Sequence, residues 1–468
     1  MFNSNYWFGL FTFAFDYWFG FYKYYKAMYL KRTIDGDLLN WKSAENRKPL
    51  ILRGARQVGK TSTVKNLSLH FTYFVEINFD ERPLFSSVFE KSLSVSEVCE
   101  QLSVLTNTPI VAGETLLFLD EIQACIPAIG MLRYFYEKMP ELHVVAAGSL
   151  LEFALADIPS FGVGRVRSLY MYPLSFSEFL MAQDEKLLLE QLNKATVSKP
   201  LSEPIHQKLI NLYKKFVIIG GMPEAVNIYV NSNDLLEVQR ALNDLLISVQ
   251  ADFAKYKMRV PGARLTEVFN AIARQVATKF TYSYPTATLN NLQIKEAIEM
   301  LKMAGLVYPV THSAANGIPL GAEINPKKTK YLIFDTGIFQ RILGLNIADL
   351  LISDDFNVIN KGHIAELHVG LELLKAESCY QKADLYYWQR DAKNSQAEVD
   401  YVCQFNNAIV PVEVKAGTKG SMQSLYLFLK EKKLTQGFRL SLENFSGMDQ
   451  VTILPVYAVH QLVHHLQK

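Results

Sequence analysis

Short apolar runs alternate with helix-length segments after residue 28, which is the pattern of an open parallel sheet covered by helices. The pattern predicts a five-stranded α/β core within residues 28–184. A helix over residues 61–69 is expected directly after the first strand. The predicted strands span residues 49–52, 73–78, 115–119, 143–147 and 168–172.

The pattern becomes helical over residues 185–256, and we interpret this segment as a helical lid. It is interrupted at Gly220, Gly221 and Pro223. A helix is not expected to continue through two glycines, and the residue before a proline resists the α conformation.

Residues 257–345 show three helical patterns and then two apolar strands, 306–310 and 330–334, joined by a glycine-rich polar loop. Three helices and a two-stranded wing predict a winged-helix domain. The helix over residues 289–302 carries only two lysines, which is few for contact with DNA phosphates. The wing therefore either contacts DNA or only packs against its neighbours.

The last segment, residues 346–468, returns to the α/β pattern. The sequence contains no internal repeat. Its predicted elements are a helix over residues 364–374 and strands over 384–388, 397–402 and 408–414.

Residues 1–27 differ from the rest of the chain because Phe, Tyr and Trp dominate them and Asp16 lies in their middle. We interpret them as an aromatic-rich tail that precedes a true start at Met28. A weak membrane anchor and a partner-binding tail are the alternatives.

The overall charge is balanced, with 48 Lys and Arg residues against 46 Asp and Glu residues. No field of the whole molecule therefore drives the chain onto nucleic acid or an anionic membrane. The four cysteines show neither C-x-x-C nor zinc-finger spacing, and reduced thiols fit a cytoplasmic location.

A loop of the form G-x-x-x-x-G-K-[ST] lies between the first predicted strand and the first core helix. Such a loop places backbone N–H groups and a helix N-terminus around nucleotide phosphates, and its glycines let the backbone approach them. Lys60 is expected to neutralise phosphate charge, and the Thr61 hydroxyl is expected to bind Mg²⁺. The predicted ATP-binding residues are Gly54, Ala55, Arg56, Gln57, Val58, Gly59, Lys60, Thr61 and Ser62.

A second predicted strand ends in Asp120 and Glu121. We expect Asp120 to reach the magnesium shell and Glu121 to polarise the attacking water, a pair that distinguishes a hydrolase from a simple nucleotide binder. The alternative is a loop and an acidic strand end that share no ligand.

Two further residues follow the next strands of the core. Ser149 ends a strand where its hydroxyl would lie beside the γ-phosphate, and Arg165 lies on a glycine-flexed turn suited to an arginine finger in cis or in trans. Ser149 could equally cap a helix, and Arg165 could be an ordinary surface arginine.

The ordered motifs resemble those of AAA-type, signal-transduction-like P-loop ATPases of bacteria and archaea that carry a C-terminal domain similar to restriction endonucleases. The resemblance covers nearly everything after Met28. It implies ATP hydrolysis, a cytoplasmic location and a switch-like cycle, with no settled biological role. The matching strings are LILRGARQVGKTS, INFDE, LLFLDEIQ, AAGSLLEF, GVGRVRSLYMYPLSFSEFL, IIGGMPEAV, FDTGIF, AEVDYV and VPVEVKAG.

The C-terminal acidic residues follow the order found in PD-(D/E)xK endonucleases. Asp400 ends one strand, Glu413 and Lys415 form Glu-x-Lys on one face of the next, and Glu366 lies on a preceding helix. Glu366, Asp400 and Glu413 are expected to hold Mg²⁺, and Lys415 to orient the attacking water. The alternative is a decayed nuclease that serves as a binding platform.

The sequence thus predicts an α/β protein with a P-loop AAA-type parallel sheet core, a helical lid and winged helix, and a PD-(D/E)xK nuclease-like C-terminal domain. ATP and Mg²⁺ are the expected cofactors. ATP hydrolysis is expected to control the C-terminal domain, which would cleave DNA with a metal ion. The alternative function is an ATP-regulated nucleic-acid or protein binding module with an inactive nuclease fold. DNA, a protein partner or a second copy are the expected partners, without stable membrane association.

Overall fold

The structure is a computed structural model. Residues 1–27, the aromatic tail, lie outside the part that it describes. No helix among the described residues is both long and apolar enough to cross a membrane. The described residues are 29–90, 93–156, 164–256, 260–282, 289–345, 361–391, 397–405, 407–418 and 420–462.

The first sheet contains five parallel strands, which confirms the predicted parallel α/β core. The strands are β1 (Leu50–Arg53), β2 (Tyr73–Asn78), β3 (Thr115–Asp120), β4 (His143–Ala147) and β5 (Arg167–Tyr170). Their spatial order is β2-β3-β4-β1-β5. The carboxyl ends of β3, β4 and β1 are therefore neighbours at one edge of the sheet.

Helices cover both faces of this sheet. Leu50 and Leu52 of β1 face an apolar cluster that includes side chains of α1 and α2, and Ile51 faces a second cluster on the other side, against α3, α4 and α5. Burial of both faces explains the continuous apolar runs in the sequence. The helices are α1 (Ile34–Ser43), α2 (Lys60–Ser68), α3 (Ser86–Glu90), α4 (Val95–Thr106), α5 (Ile126–Lys138) and α6 (Leu151–Ala156).

The helical segment after the core has the interruption that the sequence predicts. One helix ends at Ile219, where Gly220 has a φ of 77°, and the next begins at Pro223. The Asp335 carboxylate accepts a hydrogen bond from the Gly221 N–H at 2.6 Å, which fixes this turn. The helices are α7 (Phe176–Ala182), α8 (Lys186–Lys194), α9 (Glu203–Ile219), α10 (Pro223–Ser232) and α11 (Leu235–Asp252).

The predicted wing is not a free hairpin. Its strands, β6 (Val307–Ser313) and β7 (Ile324–Ile333), are antiparallel, and β6 also pairs in parallel with β8 (Leu385–Gln389) of the C-terminal region. Two described helices precede the hairpin instead of the predicted three, α12 (Gly262–Arg274) and α13 (Asn291–Met303), and α14 (Thr336–Ile342) follows it.

The hairpin belongs to a mixed sheet of eight strands that continues across the predicted boundary at residue 346. Its order is β12-β13-β11-β10-β9-β8-β6-β7, so β7 is an edge strand. The strands at 397–402 and 408–414 were predicted, and three more follow them. The remaining elements are α15 (Lys361–Ala376), β9 (Glu398–Phe405), β10 (Ala408–Val414), α16 (Gln423–Lys432), β11 (Gly437–Ser441), β12 (Ser446–Met448) and β13 (Val451–Pro455).

Candidate nucleotide site and C-terminal acidic cluster

The phosphate-binding loop connects β1 to α2, as the sequence predicts. Gly54 has a φ of 145° and Gly59 a φ of 99°, both in the region that favours glycine. A Cβ at Gly54 would lie 2.1 Å from the Met171 carbonyl oxygen, so the loop packs too closely on the end of β5 for any side chain there. The loop leads into the N-terminus of α2, which is a favourable place for an anion.

Lys60 begins α2 and lies across the loop. Its Nζ donates to the carbonyl oxygens of Gly54 at 2.9 Å and Ala55 at 2.8 Å, and the residue is 8% exposed. Burial lowers the pKa of Lys60 to about 8, although Glu121 and Asp120 oppose this shift. The ammonium group is therefore cationic at neutral pH and is bonded to neutral carbonyl groups.

Thr61 and Asp120 come together at the ends of α2 and β3. The Thr61 hydroxyl donates to Asp120 Oδ2 at 2.9 Å, and the Glu121 N–H donates to Asp120 Oδ1 at 3.0 Å. Burial raises the pKa of Asp120 to about 6. A hydroxyl and a carboxylate are oxygen ligands of the kind that Mg²⁺ prefers.

Glu121 and Ser149 also meet, because β4 lies between β3 and β1. Ser149 Oγ donates to Glu121 Oε2 at 3.3 Å, and the Ser149 N–H lies 3.4 Å from the same atom. Gln123, which sequence reasoning missed, donates to Glu121 as well. Glu121 has a φ of 48°, so the chain turns sharply after the acidic strand.

The residues of this edge fit ATP and Mg²⁺. Lys60 offers a cation for phosphate oxygens, and Thr61 with Asp120 offers the oxygens for a metal ion. Mg²⁺ bound there would neutralise charge on the β- and γ-phosphate oxygens.

The observed ion pair of Arg165 is with a residue of α5 and not with the residues described above. Its Nε is 2.8 Å from Glu137 Oε1 on α5, and its side chain is 45% exposed. A role as an arginine finger stays a prediction.

Two arginines hold the loop to its surroundings: Arg32, which sequence reasoning missed, and Arg56, which it predicted as an ATP-binding residue. Arg32 donates to the Val58 carbonyl at 2.8 Å and the Tyr172 carbonyl at 2.6 Å, and its Nε is 3.2 Å from the Glu178 carboxylate. Arg56, inside the loop, forms an ion pair with Asp252 at the end of α11. Arg32 lies outside any recognisable motif, so no local signal could have identified it.

The predicted C-terminal residues cluster on α15, β9 and β10. Asp400 Oδ2 accepts a hydrogen bond from the Val414 N–H at 2.7 Å, and Lys415 Nζ lies 2.6 Å from Glu413 Oε1. Glu413 Oε2 is buried and has no hydrogen-bond partner among the residues that the structure describes. Burial raises the pKa of Asp400 and, to about 7, the pKa of Glu413.

A lysine from the hairpin lies among these carboxylates. Lys330 Nζ on β7 is 2.8 Å from Glu366 Oε1 and 2.6 Å from Glu398 Oε1, and its side chain is 1% exposed. Burial disfavours its charge, but the carboxylates of Glu366, Glu398 and Asp400 raise the pKa of Lys330 above its ordinary value. Sequence reasoning missed both Lys330 and Glu398.

The bonding of Glu366 bears on the magnesium ion expected from the sequence. In the part of the chain that the structure describes, no group of three or more His, Cys, Asp or Glu residues is arranged to hold a metal ion. Glu366, which was expected to bind metal, is instead bonded to Lys330. The Lys330 ammonium group supplies a cation to the Glu366 carboxylate, and binding of Mg²⁺ by Glu366, Asp400 and Glu413 stays a prediction.

Comparison with known families supports an AAA-type P-loop ATPase domain in the N-terminal part. Residues 46–180 match the model of a family described as an AAA domain. Residues 210–349 match a domain of unknown function (DUF8612), and residues 361–459 match another (DUF4143). None of the curated proteins matches the chain.

Solved structures similar to this chain include the Walker-type ATPase paby2304 of Pyrococcus abyssi, with 16% identity and a TM-score of 0.44 over 67% of this chain and 96% of that chain. The Aeropyrum pernix ORC1 protein in complex with DNA is 16% identical, with a TM-score of 0.27 over 68% of this chain and 94% of that chain. Nothing about the function of this chain follows from likenesses at these scores.

Proposed function

We propose that this chain is an ATP-binding and ATP-hydrolysing switch of the AAA type, whose cycle controls the C-terminal region. The observation that carries the proposal is the convergence of Lys60, Thr61, Asp120, Glu121 and Ser149 at one edge of the parallel sheet. Phosphoryl transfer depends on positioning and charge neutralisation, and these side chains supply both.

Each residue has a role that its contacts support. Lys60, which now bonds the carbonyls of its own loop, would neutralise the phosphate oxygens of ATP, and Thr61 and Asp120 would hold Mg²⁺. Glu121 orients the attacking water and accepts its proton, and Ser149 fixes the Glu121 carboxylate through the 3.3 Å hydrogen bond.

Control of the C-terminal region requires a physical connection, and the phosphate loop has one to the hairpin and one to the lid. A Cβ at Gly305, between α13 and β6, would lie 3.1 Å from the Ala55 N–H nitrogen, so the turn that begins the hairpin packs on the phosphate loop. The Arg56–Asp252 ion pair joins the same loop to the lid helix α11. A shift of the loop on nucleotide binding would reach both neighbours directly.

A cavity of about 170 Å³ lies beside the phosphate loop, between the core and the turn that precedes β6. Gly54 and Ser149 line it from the core, and Lys302, Gly305 and Tyr308 line it from the hairpin side. The cavity therefore lies at the boundary across which a nucleotide-dependent shift of the loop would act.

We propose DNA as the partner of the C-terminal region, on the strength of the motif order Glu366, Asp400, Glu413 and Lys415. The cysteine pattern supports a cytoplasmic location as part of the same proposal. The second candidate is an ATP-regulated nucleic-acid or protein binding module with an inactive nuclease fold. The bonding of Glu366 to Lys330 favours this second candidate. A second copy of the chain would also be a partner if Arg165 acts in trans.

ATP hydrolysis by the purified chain, with and without DNA, tests the proposal. We expect Mg²⁺-dependent hydrolysis that Lys60→Ala abolishes and that Lys65→Ala, a surface lysine of the same helix paired with Glu76, leaves unchanged. Nicking of supercoiled DNA in Mg²⁺ or Mn²⁺ separates the two candidates. Hydrolysis that survives in Lys60→Ala would overturn the proposal.

A further inference from the structure

The buried cation of the C-terminal cluster comes from a distant part of the chain. Lys330 lies on β7, 36 positions before Glu366, and its Nζ is within 2.8 Å of two carboxylates. The Asp400 carboxylate also helps to raise the pKa of Lys330. The lysine thus contacts Glu366, one of the three residues that the motif order would assign to a metal ion, and Glu398 beside it.

The chemistry of the cluster favours a single kind of occupant. Buried carboxylates need a cation or a proton, because removing unpaired charge from water is costly. An ammonium group and a divalent metal ion compete for the same oxygens. With Lys330 1% exposed and bonded to Glu366 and Glu398, the oxygens that face it are already engaged.

The unused acceptor lies on the neighbouring strand. Glu413 is 5% exposed, and within the described part of the chain its Oε2 has no hydrogen-bond partner. Burial raises the pKa of Glu413 most, and the nearby Asp400 carboxylate raises it further. Glu413 therefore belongs to the same cluster of charged side chains as Asp400. Its other oxygen, Oε1, lies 2.6 Å from Lys415 Nζ, so this carboxylate also takes its cation from the chain.

The strand that carries the lysine is on the edge of its sheet. β7 pairs with β6 along one side, and on the other side Lys330 makes an isolated bridge with Lys279. The same hairpin begins at Gly305, which packs on Ala55 of the phosphate loop. Displacing β7 would break fewer strand pairings than displacing an inner strand, and it would withdraw the lysine from the carboxylates.

We propose that Lys330 is an intramolecular cation that occupies the metal position of the C-terminal cluster, so that the chain excludes divalent ions from Glu366, Asp400 and Glu413 while the hairpin is in place. The inference rests on the proposed nuclease-like character of this region, but not on ATP hydrolysis. The cluster is then a latent metal site, and the hairpin is its inhibitory element.

Binding of Mn²⁺ to the full chain, measured by calorimetry without nucleotide, tests the inference. We expect Asp400→Asn to leave the Mn²⁺ isotherm of the otherwise unchanged chain as it is, because no metal ion reaches Asp400. Lys330→Ala removes the ammonium group and opens space, and we expect it to add one site with at least about tenfold tighter binding. The double variant Lys330→Ala with Asp400→Asn should lose that site.

Lys328→Ala is the matched control. Lys328 lies two positions away on β7 and pairs with Asp391, which is 69% exposed, so its loss should add no Mn²⁺ site. Mn²⁺ binding by the unaltered chain that Asp400→Asn removes would overturn the inference. So would a Lys330→Ala protein that retains cooperative thermal unfolding but gains no site.

The comparison of the unaltered chain with Asp400→Asn tests the inference even if Lys330→Ala does not fold. ATP hydrolysis by the unaltered chain is measured in parallel. Its absence would refute the ATPase proposal while the Mn²⁺ results stand, and Asp400-dependent Mn²⁺ binding with normal hydrolysis would refute only the inference about Lys330.

Discussion

Two buried lysines in this chain lie near carboxylates, and their bonding partners differ. Lys60 donates to the carbonyl oxygens of Gly54 and Ala55, and burial lowers its pKa to about 8. Lys330 bonds directly to Glu366 and Glu398, and these carboxylates raise its pKa. The first lysine keeps a charge that an anion can use, whereas the charge of the second is already neutralised.

This difference decides what each site can bind. A lysine bonded to neutral carbonyls can transfer its hydrogen bonds to phosphate oxygens at little electrostatic cost. A lysine bonded to carboxylates takes the place of a metal ion and competes with it. Carboxylates alone therefore do not indicate a metal site, because the cation they need can come from the chain itself.

The largest expected effect is that of Lys60→Ala. Removing the ammonium group leaves phosphate charge without its main neutralising group, and we expect hydrolysis to fall by about 1000-fold or more. Steady-state ATPase rates and binding of a fluorescent ATP analogue measure the loss. Lys330→Ala, which alters the other lysine, should leave the ATPase rate within about twofold of the original. An equal loss in both variants would contradict the separation of the two sites.

Glu121→Gln is expected to separate binding from hydrolysis. The amide keeps the shape of the side chain and its contact with Ser149, but it cannot accept a proton from water. We expect kcat to fall by about 100-fold while ATP binding is retained. Glu237→Gln, in an exposed pair with Arg240, is the control. A kcat that stays near the original value would assign water activation to another group.

The sequence allowed the first site to be predicted better than the second, for a physical reason. The loop from Gly54 to Thr61 is contiguous, so its spacing alone indicates the geometry, and Asp120 follows from a strand end. The bond from Lys330 to Glu366 depends on which strands pair. β6 lies beside β8, and Val310 aligns with Leu385, a long-range register that the local apolar pattern of either strand does not encode.

The same limit explains the wing. The pattern over residues 306–310 and 330–334 correctly indicates two strands and a connecting loop. Hydrophobic alternation predicts that β6 is a strand, but it does not identify the strand that pairs with it. The strands of a free wing and those of a larger sheet therefore have similar sequences. No local pattern predicts the role of the buried Arg32 either, since the Tyr172 carbonyl oxygen to which it donates is 140 positions away.

The pH dependence of hydrolysis should reflect the first site. Burial raises the pKa of Asp120 to about 6 and lowers the pKa of Lys60 to about 8. Asp120 must be anionic to bind Mg²⁺, and Lys60 must be cationic to bind phosphate. Activity is therefore lost as pH falls through about 6 and as it rises through about 8.

We expect a bell-shaped profile of kcat/KM, which reports the free chain, with about a tenfold fall per pH unit on each outer limb. Initial rates across both limbs, in buffers of constant ionic strength, measure it. In Asp120→Asn the acidic limb should disappear along with most of the activity. A profile that stays flat through both limbs would show that these two groups do not limit catalysis.

The smallest expected effect concerns the link between the loop and the lid. Arg56 pairs with Asp252, but its side chain is 40% exposed, and ion pairs that solvent reaches contribute little. We expect Arg56→Gln and Asp252→Asn each to raise the KM for ATP by about threefold, with less effect on kcat. The double variant should be no worse than either single one, because each change breaks the same pair. Arg133→Gln, in an exposed pair with Glu137, is the control for loss of a surface arginine. If Arg56→Gln instead lowered kcat by about 100-fold and Asp252→Asn did not, Arg56 would act on the transferring phosphate itself, and the loop would carry two catalytic cations.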